Sequence, residues 1–125
     1  MQAQIMYLER KDDVASLDAR IGLVEKSKTG KTLRYKGREF QSLKGSGFKA
    51  NFFDVETGDY FWIVGCRKDG NDGLYRTKVF VDEDIREEYW TNIRDMPERA
   101  KQESFISTGK HQAGGKEPKS KRVNV

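Results

Sequence analysis

The sequence predicts a mainly β protein of the α+β type, in which a small sheet is followed by one C-terminal amphipathic helix. Three observations indicate this class: paired runs of branched and aromatic residues, short glycine turns between them, and a helical apolar period late in the chain. The 125 residues are 35% hydrophobic and 35% charged, which suits one domain with a small core. Aromatic residues make up 11% of the chain and supply much of that core's volume.

The first predicted hairpin has the most closely defined register. From Arg20, "RIGLVEK" is typical of a strand and "SKTG" of a turn, after which "KTLRY" and "REFQSL" are joined by the turn "KG". This two-residue turn predicts the pairs Leu33 with Phe40, Tyr35 with Arg38, Arg34 with Glu39, and Thr32 with Gln41. One side of the hairpin is then largely apolar and the other polar.

A second predicted hairpin, centred on residues 51–64, joins "ANFFDV" to "DYFWIVGC" through "ETG". Its arms are apolar at consecutive positions, which is typical of strands covered on both faces or of a face that binds a partner. "LYRTKVFV" predicts a further strand. Together these segments predict a strongly bent antiparallel sheet of about five strands, for which a partly open, SH3-like barrel is one arrangement.

A helix is predicted at about 83–96, where the apolar residues fall on one face. The residues with this spacing are Ile85, Tyr89, Ile93 and Met96. Asp82 precedes the segment as a helix-capping residue, and Pro97 ends it. Residues 1–102 are therefore expected to form one compact domain. Residues 103–125 are rich in glycine and lysine and predict a disordered basic tail.

Basic residues are concentrated in one segment of the chain. The net charge is +4, yet residues 26–49 hold eight lysines and arginines against one acid. Such asymmetry predicts an electropositive face that contacts nucleic acid, although a solvated sheet face explains the same pattern. The candidate nucleic-acid-binding residues are Lys28, Lys31, Arg34, Lys36, Arg38, Lys44 and Lys49, with Tyr35 and Phe48 as candidate exposed rings.

The motifs that carry chemistry are incomplete, so no catalytic residue, cofactor or metal site is predicted. "KTGKT" ends like a phosphate-binding loop, but Glu25 stands where the first glycine belongs and a strand follows it. "DGNDG" has the wrong spacing for a calcium loop. Cys66 and His111 are the single cysteine and histidine, too few for a zinc site or a nucleophile with its base.

The chain is expected to be cytoplasmic and to have no membrane partner. No apolar run approaches the ~18 residues of a membrane span, and the N-terminus lacks the apolar stretch of a signal peptide. A single cysteine cannot form an internal disulfide, which agrees with a reducing compartment.

The stretch "SKTGKTL…GREFQSLKGSGFKANFFDVETGDYFWIVGCRKDGNDGLY…VDEDIREEYW" resembles a group of small, poorly characterised bacterial proteins. The resemblance covers residues 20–97 and implies one compact domain. Some members carry the label 1-deoxy-D-xylulose-5-phosphate synthase, but a thiamine-diphosphate enzyme needs a far larger chain and a cofactor motif. The resemblance therefore implies no active site and no cofactor.

Three functions remain open from the sequence, and a small enzyme is the least favoured of them. The first is a non-catalytic module that contacts the nucleic-acid backbone through the basic hairpin face. The alternative is a protein–protein interaction module, such as an inhibitor, an accessory subunit or a homodimer, that uses the aromatic hairpin 51–64. The sequence is compatible with a monomer and with a homodimer.

Overall fold

The computed structural model describes residues 1–11, 19–44 and 50–109, and its described residues form eight strands. The strands are β1 (Gln2–Arg10), β2 (Ala19–Lys26), β3 (Thr32–Tyr35), β4 (Arg38–Ser42), β5 (Phe52–Asp54), β6 (Tyr60–Gly65), β7 (Thr77–Val81) and β8 (Ser104–Ser107). None of the helices in these ranges is long and apolar enough to cross a bilayer.

Strands β1 to β6 form a closed antiparallel barrel, which is consistent with a small SH3-like barrel. Neighbouring strands follow the order β1-β6-β5-β4-β3-β2, and β2 pairs back with β1 from Gln2–Lys26 to Glu9–Ala19. The predicted mainly β class, with a bent antiparallel sheet and a later helix, is confirmed. The barrel is closed rather than partly open because β1, which is weakly patterned in sequence, pairs with both β2 and β6.

One edge of β2 is shared between two strands, an arrangement that the sequence analysis did not predict. Ala19–Ile21 pair in parallel with β7, while Glu25 and Lys26 pair with β3. The sheet thereby continues from β2 into β7 and β8 outside the barrel. The predicted sheet of about five antiparallel strands therefore has too few strands and lacks this parallel pair.

Strand β8 lies within the segment predicted to be a disordered tail, so that prediction is wrong for Ser104–Ser107. The strand is ordered because it pairs with β7 and its Phe105 ring packs on two core rings. The Phe105 ring centroid lies 6.1 Å from that of Tyr89 and 5.4 Å from that of Trp90. The predicted tail beyond residue 109 lies outside the described residues.

The predicted register of the first hairpin is confirmed at all four pairs. Lys36 and Gly37 form its turn with positive φ angles of 48° and 83°. Two consecutive left-handed residues match the right-handed twist of the flanking strands. Such turns favour glycine because glycine adopts a positive φ without steric strain.

Two apolar cores lie on opposite faces of the barrel wall, because successive residues of a strand point to opposite faces. The inner core fills the barrel and contains Met6, Leu8, Val24, Leu33, Tyr35, Phe40, Phe52, Phe61 and Ile63. The outer core lies on the outer wall and contains Ile5, Tyr7, Ala19, Ile21, Val79, Val81, Ile85, Tyr89 and Trp90. Residues from the helical segment are therefore part of the outer core.

The predicted helix is present but is short and irregular. A 3-10 turn (Glu83–Ile85), an α-helical turn (Arg86–Glu88) and a π-helical turn (Tyr89–Ile93) follow one another, and we call residues 83–93 the mixed helix. It ends three residues before the predicted boundary because Asp95 adopts a φ of 58° and the Met96 N–H donates to the Trp90 carbonyl at 2.7 Å. A separate 3-10 turn covers Pro97–Arg99.

Candidate functional site

Basic residues gather at both ends of the barrel, and the two ends differ in kind. The arginine end comprises Arg10, Arg20, Lys36 and Arg38, at the end of β1, the start of β2 and the β3–β4 turn. The lysine end comprises Lys26, Lys28, Lys31 and Lys44, at the β2–β3 turn and beyond β4. The strand pairings place these groups at opposite ends, because the chain reverses direction at each turn.

At the arginine end, the inward-facing rows of three strands finish on arginine. Arg10 lies two residues beyond Leu8, Arg20 four residues before Val24, and Arg38 two residues before Phe40. Strand alternation therefore gives these arginines the inward side of the barrel wall. Arg10 and Arg20 were not predicted as site residues, since the closure of the barrel by β1 was not visible in the sequence.

Asp82 is the centre of a polar network at this end, and its side chain is buried. Its Oδ1 accepts from Nε and Nη2 of Arg20 at 2.9 and 2.6 Å. Its Oδ2 accepts from the Tyr35 hydroxyl at 2.5 Å and lies 3.2 Å from Nζ of Lys36. Burial would raise the pKa of Asp82, but these hydrogen bonds outweigh burial and hold its pKa below the usual value.

Two predictions from the sequence, the helix cap at Asp82 and the exposed ring of Tyr35, are wrong because of this network. Asp82 precedes the mixed helix, yet its side chain makes no capping hydrogen bond because Arg20, Tyr35 and Lys36 engage it. Tyr35 is 9% exposed and belongs to the inner core, so its ring is not an exposed stacking surface. Burial, reinforced by Asp82, raises the pKa of Tyr35.

Gly22 makes room for this network. A Cβ at that position would lie 2.5 Å from Cε1 of Tyr35 and 2.6 Å from Oδ2 of Asp82. These distances are far below contact, so a side chain at residue 22 would displace the hydroxyl–carboxylate pair. Gly22 also lies where β3 and β7 diverge along β2, which gives the strand junction and the network one common position.

Arg38 is held by a second buried carboxylate. Its Nε and Nη2 both lie 2.8 Å from Oδ2 of Asp54, whose Oδ1 accepts the backbone N–H of Glu56 at 2.8 Å. Burial opposes ionisation of Asp54, but the hydrogen bonds from Glu56 and Arg38 lower its pKa. Arg10 completes this end, with its Nε 3.8 Å from Oδ2 of Asp59. The cations of the arginine end are thus all beside carboxylates.

The outer face of the first hairpin is mixed in charge rather than basic. Nε of Arg34 lies 3.5 Å from Oε1 of Glu39, which is the predicted cross-strand pair. A cleft of about 470 Å³ runs beside this face, and its lining includes Glu25 and Asp84 as well as Lys36. Arg34, Lys36 and Arg38 are therefore poor candidates for an unshielded electropositive face.

At the lysine end, Lys28, Lys31 and Lys44 are exposed, and within the described ranges none of them has an ion-pair partner. The Ser42 N–H donates to the Lys31 carbonyl at 2.9 Å, which brings the chain before Lys44 beside the β2–β3 turn. Segments 26–32 and 41–44 contain four lysines and no acid. The candidates Phe48 and Lys49 lie outside the described residues.

The aromatic hairpin 51–64 is largely used for packing. Phe52 and Phe61 belong to the inner core, and the Trp62 ring N–H donates to the Asp72 carbonyl at 2.9 Å. Phe53 and Tyr60 face each other on the outer side of β5 and β6, and Tyr60 is 52% exposed. Tyr60 is thus the most exposed aromatic ring of this hairpin.

Asp72 is a buried carboxylate of a different kind. Its Oδ1 accepts the Arg67 backbone N–H at 2.6 Å, but its Oδ2 has no hydrogen-bond partner among the described residues. Burial raises the pKa of Asp72 to about 6. Burial and then the Asp72 charge also raise the pKa of Cys66, so its thiol stays protonated at neutral pH and is a weak nucleophile.

Comparisons with protein-family models, curated proteins and solved structures find no match for this chain. The resemblance of residues 20–97 to small bacterial proteins therefore stays a prediction. Among the described residues, no group of three or more histidine, cysteine or carboxylate side chains could hold a metal ion.

Proposed function

We propose that this chain is a non-catalytic binding module that contacts the phosphate backbone of nucleic acid through the lysine end of its barrel. The observation that carries the proposal is the exposure of Lys28, Lys31 and Lys44 without a carboxylate beside them in the described ranges. The proposal places the module in the cytoplasm, where nucleic acid is present and Cys66 stays reduced.

Unpaired lysines favour phosphate more than paired ones do. An exposed ammonium group attracts counterions, and their release when a phosphate replaces them is the main source of sequence-independent affinity. Arg34, Lys36 and Arg38 already lie beside carboxylates, which reduces what each gains from a phosphate. Of the basic residues predicted from the sequence, those at the lysine end are therefore the stronger candidates for phosphate contact.

The proposed contact is to the backbone and not to base edges. Turns and strand ends carry the three lysines, and the mixed helix carries an acidic patch that includes Glu83, Asp84, Glu87 and Glu88. An acidic helix is repelled by a nucleic-acid groove, so it does not read sequence there. Lys49 and the basic residues of segment 110–125 are expected to add attraction without specificity.

The test is fluorescence anisotropy with labelled single- and double-stranded DNA and RNA and the full chain. We expect Lys28→Gln/Lys31→Gln to weaken binding about tenfold at moderate salt, because two phosphate contacts are lost. Two variants that remove the same charge serve as matched controls: Arg10→Gln/Arg20→Gln at the other end and Lys119→Gln/Lys121→Gln in the tail segment.

Thermal unfolding of each variant first establishes that it folds. Equal losses in all three variants would mean that net charge alone sets the affinity, and the lysine end would lose its role. Undetectable binding of the unchanged chain to every probe would overturn the proposed function itself.

Protein–protein interaction is the second candidate, and one observation favours it. Tyr60 is 52% exposed and Val55 47% exposed, next to the half-buried Phe53 on the outer side of β5 and β6. Light scattering of the unchanged chain tests the homodimer form of this candidate. A dimer that dissociates on Tyr60→Lys substitution would support it, and a monomer at high concentration would contradict it.

A further inference from the structure

We propose that residues 119–125, with the sequence KSKRVNV, bind an apolar groove with an acidic rim on the outer wall of the barrel. The groove lies between strands β1 and β2 and the mixed helix, and we call it the Leu23 groove. The proposal does not depend on the nucleic-acid surface, because Lys28, Lys31 and Lys44 are not among the described residues that line this groove.

Leu23 is the apolar centre of the groove. Its side chain is 43% exposed on the outer side of β2, directly opposite the buried Ile5 of β1. A cleft of about 370 Å³ lies beside Leu23 and is also lined by Ala3, Ile5 and Ile93. Leu23 and Ala3 also line the cleft of about 470 Å³ beside the first hairpin, so the two clefts adjoin at these residues. Such a concave surface with apolar lining suits the apolar side chains of a bound segment.

Carboxylates form the rim around this apolar centre. Glu25 and Asp84 line the cleft beside the first hairpin, and Glu88 lines the other cleft. All three side chains are exposed, and within the described ranges none of them forms an ion pair. Glu83 and Glu87 lie on the same acidic face of the mixed helix. The groove is therefore complementary to a segment that combines apolar and basic side chains.

The basic residues of the lining are already beside carboxylates. Arg34, Lys36 and Arg38 line the cleft next to the first hairpin, and each of them has an acidic partner within 3.5 Å. Among the described residues of the lining, the charges without an ion-pair partner are therefore carboxylates.

The described residues that line the groove lie away from the two chain connections outside the described ranges. On β1 and β2 the lining lies toward the end where Ala3 pairs with Glu25, and residues 12–18 connect these strands at their other ends. Residues 45–49 connect β4 with β5, and neither of these strands pairs with β1 or β2. This leaves the segment beyond Gly109 as the part of the chain proposed to cover the groove.

Residues 119–125 have the composition that the groove requires. They contain three basic residues, no acid, and valines at positions 123 and 125. Alternate side chains of an extended segment point the same way, so Lys119, Lys121, Val123 and Val125 share one side. That side presents two ammonium groups followed by two apolar side chains, which match the carboxylate rim and Leu23.

The chain is long enough to reach the groove. Ser107 pairs with Thr77 at the start of β7, and Leu23 lies about six residues farther along the parallel strands, or about 20 Å. Two strand spacings add about 10 Å across the sheet. The chain from Gly109 to Lys119 spans up to about 33 Å. A tether of this length gives the segment a millimolar effective concentration, so a weak contact is sufficient.

The experiment follows the amide signals of Val123 and Val125 by NMR in the ¹⁵N-labelled full chain, without nucleic acid, which attracts the same lysines. A free peptide with the sequence of residues 116–125 gives the signal positions of the unbound segment. We expect Leu23→Lys to move both signals most of the way to the peptide positions, because an apolar contact is lost and the new ammonium group repels the segment. Val55→Lys adds the same charge at a side chain that is 47% exposed at the end of β5, and it should leave both signals unchanged.

The reciprocal variant, Val123→Ser/Val125→Ser, should shift the amide signals of Ala3, Leu23 and Glu88. A dispersed amide spectrum of each variant establishes that it folds, and this second variant tests the proposal even where Leu23→Lys does not fold.

Three results would overturn the proposal. The first is that the Val123 and Val125 signals of the unchanged chain match those of the free peptide. The second is that Leu23→Lys and Val55→Lys shift these signals equally. The third is that the signals move on dilution, because the groove would then hold the segment of a second copy. Since nucleic-acid binding is measured separately, failure here leaves the proposed function standing.

Discussion

The two ends of the barrel carry similar numbers of basic residues but use them differently. At the arginine end, buried Asp82 and Asp54 engage Arg20, Lys36 and Arg38. At the lysine end, Lys28 and Lys31 lie on an exposed turn, and segments 26–32 and 41–44 contain no acid. Counting basic residues along the chain therefore overestimates the electropositive face, because carboxylates pair with the basic residues of one end.

The difference follows the chemistry of the two side chains. A guanidinium presents several donors in a planar fork, so that two of its nitrogens can engage one carboxylate oxygen. Nε and Nη2 of Arg20 both donate to Oδ1 of Asp82. Nε of Arg38 donates to Oδ2 of Asp54, and Nη2 of Arg38 lies 2.8 Å from the same oxygen. Lysine ammonium groups are strongly hydrated point charges on flexible stems, which suits them to an exposed turn. The arginine end thus contains cations paired with buried carboxylates, and the lysine end presents exposed ammonium groups.

Removal of the Asp82 carboxylate should disrupt the polar network of the arginine end and cause the largest loss of stability among the variants. We expect Asp82→Asn to lower the free energy of unfolding by about 2 kcal/mol at pH 7. The cost is below that of a fully buried pair because Arg20 and Lys36 are about half exposed, with side-chain exposures of 47% and 59%. Urea unfolding followed by tryptophan fluorescence measures this change.

The same substitution has a predicted pH dependence. The pKa of Asp82 is lowered in the folded state, so its contribution is present above about pH 4 and is lost as the pH falls further. The stability difference between Asp82→Asn and the unchanged chain should therefore shrink at acidic pH. Glu87→Gln removes an exposed carboxylate of the mixed helix and serves as the control. Equal stability of Asp82→Asn and Glu87→Gln at pH 7 would contradict a structural role for the network.

Asp72 extends the comparison, since it is a buried carboxylate whose Oδ2 has no hydrogen-bond partner among the described residues. Its pKa is raised from 3.8 to about 6, so the folded state binds the proton more tightly than the unfolded state. Stability from this residue therefore falls as the pH rises from about 4 to about 6. We expect Asp72→Asn to raise the free energy of unfolding at pH 7 by about 1 kcal/mol and to flatten that fall.

The measurement is urea unfolding of both proteins at several pH values between about 4 and 7. Asparagine keeps the Oδ1 acceptor for the Arg67 N–H, so the substitution changes charge more than shape. A variant that is less stable than the unchanged chain at pH 7, with the same pH profile, would show that the Asp72 charge is stabilising.

The smallest change in stability is expected for a substitution on the outer face of the first hairpin. Arg34 and Glu39 are 55% and 39% exposed and lie 3.5 Å apart, so water screens their attraction. Arg34→Gln should change the free energy of unfolding by less than about 0.5 kcal/mol and leave nucleic-acid affinity nearly unchanged. If Arg34→Gln lost as much affinity as Lys28→Gln/Lys31→Gln, the outer face of the first hairpin would be part of the nucleic-acid-binding surface.

Local patterns predicted the hairpins and the helix, but not the partners that meet across the barrel. The "KG" turn and alternating side chains defined every pair of β3 with β4. In contrast, Tyr35 was expected to be exposed because its sequence neighbours are basic, while its actual neighbour, Asp82, lies 47 residues away. This contact depends on the parallel pairing of β7 with β2, which no local sequence pattern indicates.

Strand β8 was not predicted for a similar reason. "SFIS" contains two apolar residues and is a weak strand by itself, but the edge of β7 supplies its backbone partners. The core rings Tyr89 and Trp90 then cover Phe105. The candidate lysines were predictable because an exposed turn needs no distant partner to define it.

The salt dependence of nucleic-acid binding tests the central claim most directly. Anisotropy titrations of the unchanged chain, Lys28→Gln/Lys31→Gln and Arg10→Gln/Arg20→Gln over a range of salt concentrations give the number of phosphate contacts in each. We predict that the lysine variant lowers the magnitude of the slope of log affinity against log salt by about 2, while the arginine variant leaves it unchanged. An equal fall in both variants, or a fall in the arginine variant alone, would contradict the division of the barrel into a paired end and an available end.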